Sequence, residues 1–234
     1  MPPKTKTTKT IKTIKKSEKD NSNDIRHFPS LSCKSSLRVT EVEPNQIYLI
    51  HDLFTSKECD ALIKHFETHL PPQPVPTIPK RGEAFRSNDR QSLEDAAFAQ
   101  QLWEIGLDKI CGEQEGIGNV SLPRKPVGLN SNIRVYRYRV GQKFEGHYDD
   151  SVQDKTTGLW THWTLLCYLN EDMEGGETVF YKHVSKKRKS GAISIRPEKG
   201  LALLHLHGNH CLFHEAMEVS KGAKWVLRSD VLVG

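Results

Sequence analysis

His147 and Asp149 stand two positions apart in "EGHYDDSVQDKT", with a second acid, Asp150, directly after them. In a strand, side chains at that spacing share a face, so both can reach one metal ion while Tyr148 points away. Asp150 cannot share the face of His147 and is expected in solvent or in support of the site. Two ligands do not complete a centre. Two histidines and one carboxylate on one face of an octahedral ion leave three adjacent positions open, the arrangement by which non-haem Fe(II) holds a cosubstrate together with O2. A second histidine is therefore required, and His205, His207, His210 and His214 are all candidates. His205 and His207 alternate within the apolar run "LALLHLHG", where a buried histidine with a hydrogen-bond partner is the plainer explanation. His210 sits beside a turn. His214 starts "HEAMEVSKGAKWVLRSDV", in which Lys224 follows ten residues later on a segment that can run back beside it.

These residues need a β framework, and the periodicity of the C-terminal half supplies one. From Asn130 onward "NIRVYRYRVG", "WTLLCYLN", "GGETVFY", "GAISIRP", "GLALLHLHG" and "KWVLRSDVLV" read as short strands separated by glycine and polar turns. The first half differs. "NQIYLIHDLF" is a strand candidate leading into "TSKECDALIKHFETHL", where Thr55 with Glu58 has the capping-box pattern and Cys59, Leu62, Ile63 and Phe66 recur at helical spacing. The spacing predicts one helix over about 56–69 and a second over about 92–110, with Leu93, Ala96, Ala97, Leu102, Ile105 and Leu107 on its apolar side. Between them "PPQPVPTIP" is too proline-rich for a helix or a central strand. The expected fold is α+β, mainly β: a jelly-roll or sandwich core with two helices packed outside it and no internal repeat.

Composition bounds the partners. The chain has 234 residues and a formal charge of +5, but its first 24 residues hold seven lysines against Glu18, Asp20 and Asp24. The remainder is nearly neutral, which argues against a nucleic-acid surface. Residues 1–28, Lys/Thr-rich and almost without apolar runs, are expected to be a disordered tail, with 29–234 forming one domain. No secretory h-region and no apolar stretch of membrane-spanning length is present, so a soluble cytoplasmic or nuclear protein is expected. Five scattered cysteines without CxxC spacing fit reduced, mostly buried thiols better than a disulfide framework or a zinc knuckle.

Taken in order and spacing, "YRVGQKFEGHYD", "LCYLN", "GGETVFY", "IRPEKGLALL" and "HEAMEVSKGAKW" resemble the Fe(II)- and 2-oxoglutarate-dependent dioxygenases of the prolyl 4-hydroxylase type. The likeness spans about residues 130–234, and "LFTSKECDALIKHF" is similar to an early helix of that family. The resemblance implies a double-stranded β-helix (cupin-like jelly roll), with Fe(II) as the metal, 2-oxoglutarate as cosubstrate and ascorbate as an accessory reductant. It implies His147, Asp149 and His214 as iron ligands and catalytic residues, and Lys224 as the cation for the distal carboxylate of 2-oxoglutarate. A buried pocket that accepts such a carboxylate needs a fixed cation to offset its desolvation. Tyr138 and Tyr168 match positions where the family places tyrosines around the cosubstrate, although either also fits an ordinary half-buried strand. Arg228, four residues after Lys224 on the same face, is the competing cation, or else a substrate contact or a support for the site.

The activity so implied is hydroxylation of a C–H bond, coupled to decarboxylation of 2-oxoglutarate to succinate and CO2. The preferred substrate is a prolyl residue of an intracellular protein or peptide. Oxidative demethylation of a nucleic-acid base and a catalytically silent jelly-roll binding module are the alternatives. "RSNDR" follows the proline-rich loop, where related enzymes carry a mobile lid, so Arg86, Asn88 and Arg90 are candidate substrate contacts; an ordinary polar loop remains open beside that reading. "KKRK" at 186–189 fits a lysine-rich nuclear signal but is better read as a solvated hairpin loop. Trp160, Trp163 and Trp225 are expected in core or rim packing.

Overall fold

The structure, a computed structural model, describes residues 27–76, 78–79, 81–112 and 125–234. All but two residues of the proposed tail therefore lie outside the described residues. Phe28, at its expected end, is part of the packed structure: its ring stacks on Phe98 at 3.8 Å.

Fourteen strands are described: β1 (Arg38–Glu43), β2 (Ile47–His51), β3 (Asp89–Glu94), β4 (Pro126–Leu129), β5 (Asn132–Arg139), β6 (Phe144–His147), β7 (Trp160–Tyr168), β8 (Glu174–Gly175), β9 (Thr178–Val184), β10 (Lys189–Ile195), β11 (Ala202–Leu206), β12 (Phe213–Ala216), β13 (Val219–Lys221) and β14 (Ala223–Val233). A large sheet runs β1-β2-β11-β7-β14-β5-β3, with β4 also on β14, and faces a smaller sheet β10-β9-β12-β6. All the pairings are antiparallel. This is the expected jelly roll.

The large sheet is covered on both faces, and its two-residue period sorts the side chains. On β14, Trp225, Leu227 and Val231 join the core under the helices, whereas Val226 points with its alternates Lys224 and Arg228 toward the small sheet. The same division holds on β7, where Leu165 and Cys167 face the helices and Tyr168 the other sheet. The inner face is therefore the one that can carry a site.

Helix α1 (Ser56–His69) forms where the capping box placed it: Thr55 Oγ1 accepts from Glu58 N, and the Glu58 carboxylate accepts from Thr55 N at 2.7 Å. Its Leu62 and Phe66 are fully buried. The second expected helix is shorter and broken. Ser92–Glu94 belong to β3, Asp95 caps α2 (Ala96–Glu104) by accepting from Phe98 N, and a further short helix α3 (Leu107–Gly112) follows. Six register partners on β5, together with Gln73 opposite Arg90, hold Asp89–Glu94 as sheet, and Gly106, at φ +141°, interrupts the helix in a conformation a side chain would resist. Among the described residues no helix is long and apolar enough to cross a membrane. The basic 186–189 segment lies at the tip of the β9–β10 hairpin, as expected.

Gly200 starts the turn into β11 with φ +88°, and a Cβ there would fall inside the contact radius of the Phe54 carbonyl oxygen. Gly82 has nearly the same φ but nothing within 4 Å. Gly200→Ala should therefore cost about 3 kcal/mol or more, through strain plus backbone displacement, whereas Gly82→Ala should cost about 1–2 kcal/mol. Denaturant unfolding of the two variants checks this, and equal losses would contradict it.

Candidate active site

His147 ends β6, His214 lies on β12, and the two are paired across the small sheet with ring centroids 4.3 Å apart. Each imidazole is held at Nδ1, His147 by the Glu145 carbonyl at 2.8 Å and His214 by the Leu212 carbonyl at 2.9 Å. An Nδ1–H donated to a carbonyl leaves the Nε2 lone pair free for a metal. Both Nε2 atoms point at Asp149, His147 3.6 Å from Oδ1 and His214 3.7 Å from Oδ2. The ligand atoms of all three residues lie within 4.8 Å of one another. Phe144 stacks on His147 at 3.7 Å and Phe180 on His214 at 5.1 Å, fixing the ring planes.

Asp149 lies just beyond the end of β6, so strand geometry alone does not hold it. Its backbone does: its carbonyl accepts from Gly208 N at 2.8 Å, and its own N–H donates to Cys211 Sγ at 3.3 Å. Its carboxylate accepts from Thr164 Oγ1 at 2.9 Å and from Arg228 at 3.1 and 3.2 Å. Burial alone would raise this acid, but the Arg228 guanidinium overrides it and keeps the carboxyl well below its usual range. Burial pushes His147 down to about 3, with the neighbouring His214 adding to the shift and Asp149 only partly opposing it; His214 is lowered too, again chiefly by burial. Neutral imidazoles and an ionised carboxylate are the protonation states a divalent metal needs. This donor set fits Fe(II).

From the triad a pocket extends along the inner face, lined by Tyr136, Tyr138, Leu166, Thr178, Lys224 and Arg228 among others. Lys224 is 2% exposed, donates to the Gly176 carbonyl at 2.6 Å, and sits 5.1 and 5.3 Å from the ring centroids of Tyr138 and Tyr168. Burial lowers it to about 7, with the attraction of Glu177 too weak to compensate. Tyr168 is fully buried and shares a 2.8 Å hydrogen bond with Thr178. Two of the quoted motifs thereby acquire a physical role. Asn170 of "YLN" donates to the Ala223 carbonyl at 2.6 Å and accepts from Trp225 N at 2.8 Å, clamping the backbone on either side of Lys224. Gly176 of "GGET" lets the chain approach that lysine, since a Cβ there would meet its side chain at 3.3 Å.

Arg228, the competing cation for the cosubstrate or else a substrate contact or support for the site, has its charge taken up by Asp149 and by Asp230, whose Oδ1 lies 3.2 Å from Nε. Asp230 also pairs with Arg134. Among the lid candidates, Arg86 lies 3.8 Å over the Phe144 ring beside the triad. Arg90 is on β3 opposite Tyr136, with its Nε buried and without a hydrogen-bond partner among the described residues. Asn88 is fully buried, with its amide donated to the Asp89 carbonyl and its Oδ1 without a hydrogen-bond partner among the described residues. Asp150 is exposed, Trp163 and Trp225 are in the core, and Trp160 is 44% exposed at the rim.

His207 has the partners expected of a buried histidine, Thr164 and Thr161, each at 3.0 Å. His205 does not. Its Nε2 is buried without a hydrogen-bond partner and faces Asp149 Oδ2 at 3.6 Å. Thr164, Asp230, Asn170 and Cys211 are the site residues that spacing did not reveal; only the inward phase of their strands, or for the last two a quoted motif or proximity to His214, could have pointed to them.

Residues 133–229 match a family described as the 2OG-Fe(II) oxygenase superfamily. Among characterised sequences the chain is similar to two from Arabidopsis thaliana: probable prolyl 4-hydroxylase 10, 30% identical over 75% of this chain and 64% of that one, and probable prolyl 4-hydroxylase 3, 28% identical over 76% and 66%. It thus spans slightly under two thirds of these relatives' lengths. Among solved structures it is similar to a Trichoplax adhaerens prolyl hydroxylase in complex with a hypoxia inducible factor peptide fragment (TM-score 0.56, 15% identity, 81% of this chain and 84% of that one). It is also similar to a Pseudomonas putida prolyl-4-hydroxylase (TM-score 0.54, 14% identity, 80% and 92%). At these identities the structural likeness speaks for the fold.

The depressed imidazoles set an acid limit on the metal-free protein. Unfolded histidines take up protons near 6.5, whereas folded His147 resists until about 3, so stability is lost progressively as pH falls through that window. Thermal melts of metal-free protein should show a falling Tm from pH 6.5 downward, and His147→Phe should flatten part of that slope. An unchanged slope would contradict the buried, neutral assignment.

Proposed function

We propose that the chain, whose residues 133–229 match the 2OG-Fe(II) oxygenase superfamily, is an Fe(II)- and 2-oxoglutarate-dependent dioxygenase that hydroxylates a prolyl residue of an intracellular protein. The observation that carries this reading is the convergence of His147, Asp149 and His214 at one end of a buried pocket with the unpaired cation Lys224 along its wall. The prolyl preference draws on the curated relatives, and an intracellular setting on the five cysteines, all of them free.

His147, Asp149 and His214 would hold Fe(II), which when bound supplies the oxidative decarboxylation of 2-oxoglutarate by O2 that drives hydroxylation. The chain's own work is positional and electrostatic. Arg228 and Thr164 fix the Asp149 carboxylate, so that only its metal-facing lone pairs remain free. The Glu145 and Leu212 carbonyls fix the imidazole tautomers. Lys224 receives the distal carboxylate of 2-oxoglutarate, with Tyr138 and Tyr168 forming the walls beside it. Their burial keeps water from the carboxylate and strengthens the pairing. Arg86, stacked on Phe144 beside His147, would meet a peptide substrate.

Two experiments test this. Replacing His147 or Asp149 by alanine should abolish iron-dependent succinate formation from 2-oxoglutarate, and a proteome-wide search for oxygenated prolyl peptides should find products only with the intact triad; wild-type turnover in either variant would refute it. The second concerns Lys224, which is only partly protonated near pH 7 in the empty pocket. A bound carboxylate raises its pKa, so binding of 2-oxoglutarate should take up a proton above pH 7 and weaken as pH rises. Calorimetry in buffers of different ionisation enthalpy reads that uptake directly. Lys224→Met should remove it and weaken binding roughly 100-fold, the loss expected when one partner of a buried pair is deleted. A larger loss in Arg228→Met would exchange the roles of the two cations.

A further inference from the structure

We propose that His205, Cys211 and His214 form a second metal site that selects Zn(II) and overlaps the triad at His214. The ligand atoms of His205, Cys211 and His214 all lie within 4.8 Å of one another, and all three residues are buried. Asp149 Oδ2 is 3.6 Å from His205 Nε2 and 3.7 Å from His214 Nε2. Cys211 Sγ lies 3.3 Å from Asp149 N and 3.9 Å from His214 Nδ1. The two imidazoles and the thiol are thus close enough to share one ion.

His205 points to a ligand independently of the cluster. It is 1% exposed, and its Nε2 has no hydrogen-bond partner among the described residues. A buried imidazole nitrogen left so carries its whole desolvation penalty, unlike His207 one alternate position along, which has a threonine on each ring nitrogen. A metal ion at Nε2 would remove that penalty.

The donor set decides the metal. Thiolate with imidazole is the ligand combination of tetrahedral zinc. The triad, with a carboxylate and no sulfur, suits Fe(II) instead. Binding forms a metal–sulfur bond, and the thiol proton passes to solvent with no change of oxidation state. Since the two sets share His214, they cannot be filled together, and zinc in the second set leaves His147 and Asp149 outside. Inhibition by this route rests on the iron-triad reading; zinc binding itself does not.

The test uses the full chain, freed of metal and loaded with one equivalent of Zn(II). X-ray absorption at the zinc edge should show one sulfur scatterer at about 2.3 Å, and Co(II) loading should give a thiolate-to-cobalt absorption band in the near ultraviolet. Cys211→Ser should abolish both signals and weaken zinc affinity by more than about 100-fold, beyond the cost of losing an outer hydrogen-bond partner. His205→Gln should weaken zinc but keep the sulfur signal, providing a second variant if the first does not fold. A wild-type spectrum with only nitrogen and oxygen scatterers overturns the proposal, whatever the enzyme's activity. A sulfur signal in a protein that never turns over 2-oxoglutarate would instead uphold the zinc site and count against the iron reading.

Discussion

The contact between Arg228 and Asp149 is the interaction on which the site depends. An aspartate 7% exposed among three imidazoles would otherwise lose its charge to burial. Arg228 reaches it at 3.1 Å, itself held by Asp230, which Arg134 pairs in turn. Arg228 thus stands between two acids, and Asp230 between two cations. A buried pair of this kind contributes little net stability, because desolvation offsets most of the attraction. What it secures is position: an ionised carboxylate in one orientation, ready for a metal.

The same pairing explains why two cations four residues apart on one strand behave differently. Arg228 is raised well above its ordinary value by Asp149 and Asp230 despite burial. Lys224, equally buried, has no carboxylate within ion-pair distance among the described residues and falls to about 7. One cation serves the protein's own acid, and the other is kept for an acid that arrives from outside. Asn170 and Gly176 hold Lys224 there through backbone contacts alone, which leaves its charge unspent.

Much of this was legible in residue order. The two-residue period from Asn130 announced the sheets, and because that period is regular it also decided which side chains face inward together: Lys224, Val226 and Arg228 on β14, and Tyr136 and Tyr138 on β5. Thr55 with Glu58 marked the start of α1, since a capping box is a local hydrogen-bond exchange needing no distant partner. The helix expected from Ser92 was read too long because its apolar spacing is ambiguous: Ser92–Glu94 took up sheet hydrogen bonds from β5, a partner some 40 residues away. Nothing local reveals, either, that Asn88 is fully buried.

By itself, then, the sequence determined the strand and helix character of the chain and the types and spacing of the metal-binding residues, including His214 with Lys224, because these follow from local periodicity and from the chemistry each side chain carries. Only the tertiary structure decided the allegiance of each charge and each spare histidine. Arg228 gave its charge to Asp149 and Asp230, His207 was satisfied by two threonines, and His205 Nε2 was left beside Asp149 without a hydrogen-bond partner among the described residues. Those outcomes depend on which strands lie next to one another and at what register, and burial then multiplies the consequence, since in a low-dielectric interior a difference of one neighbour changes a side chain's charge, its partner and its use.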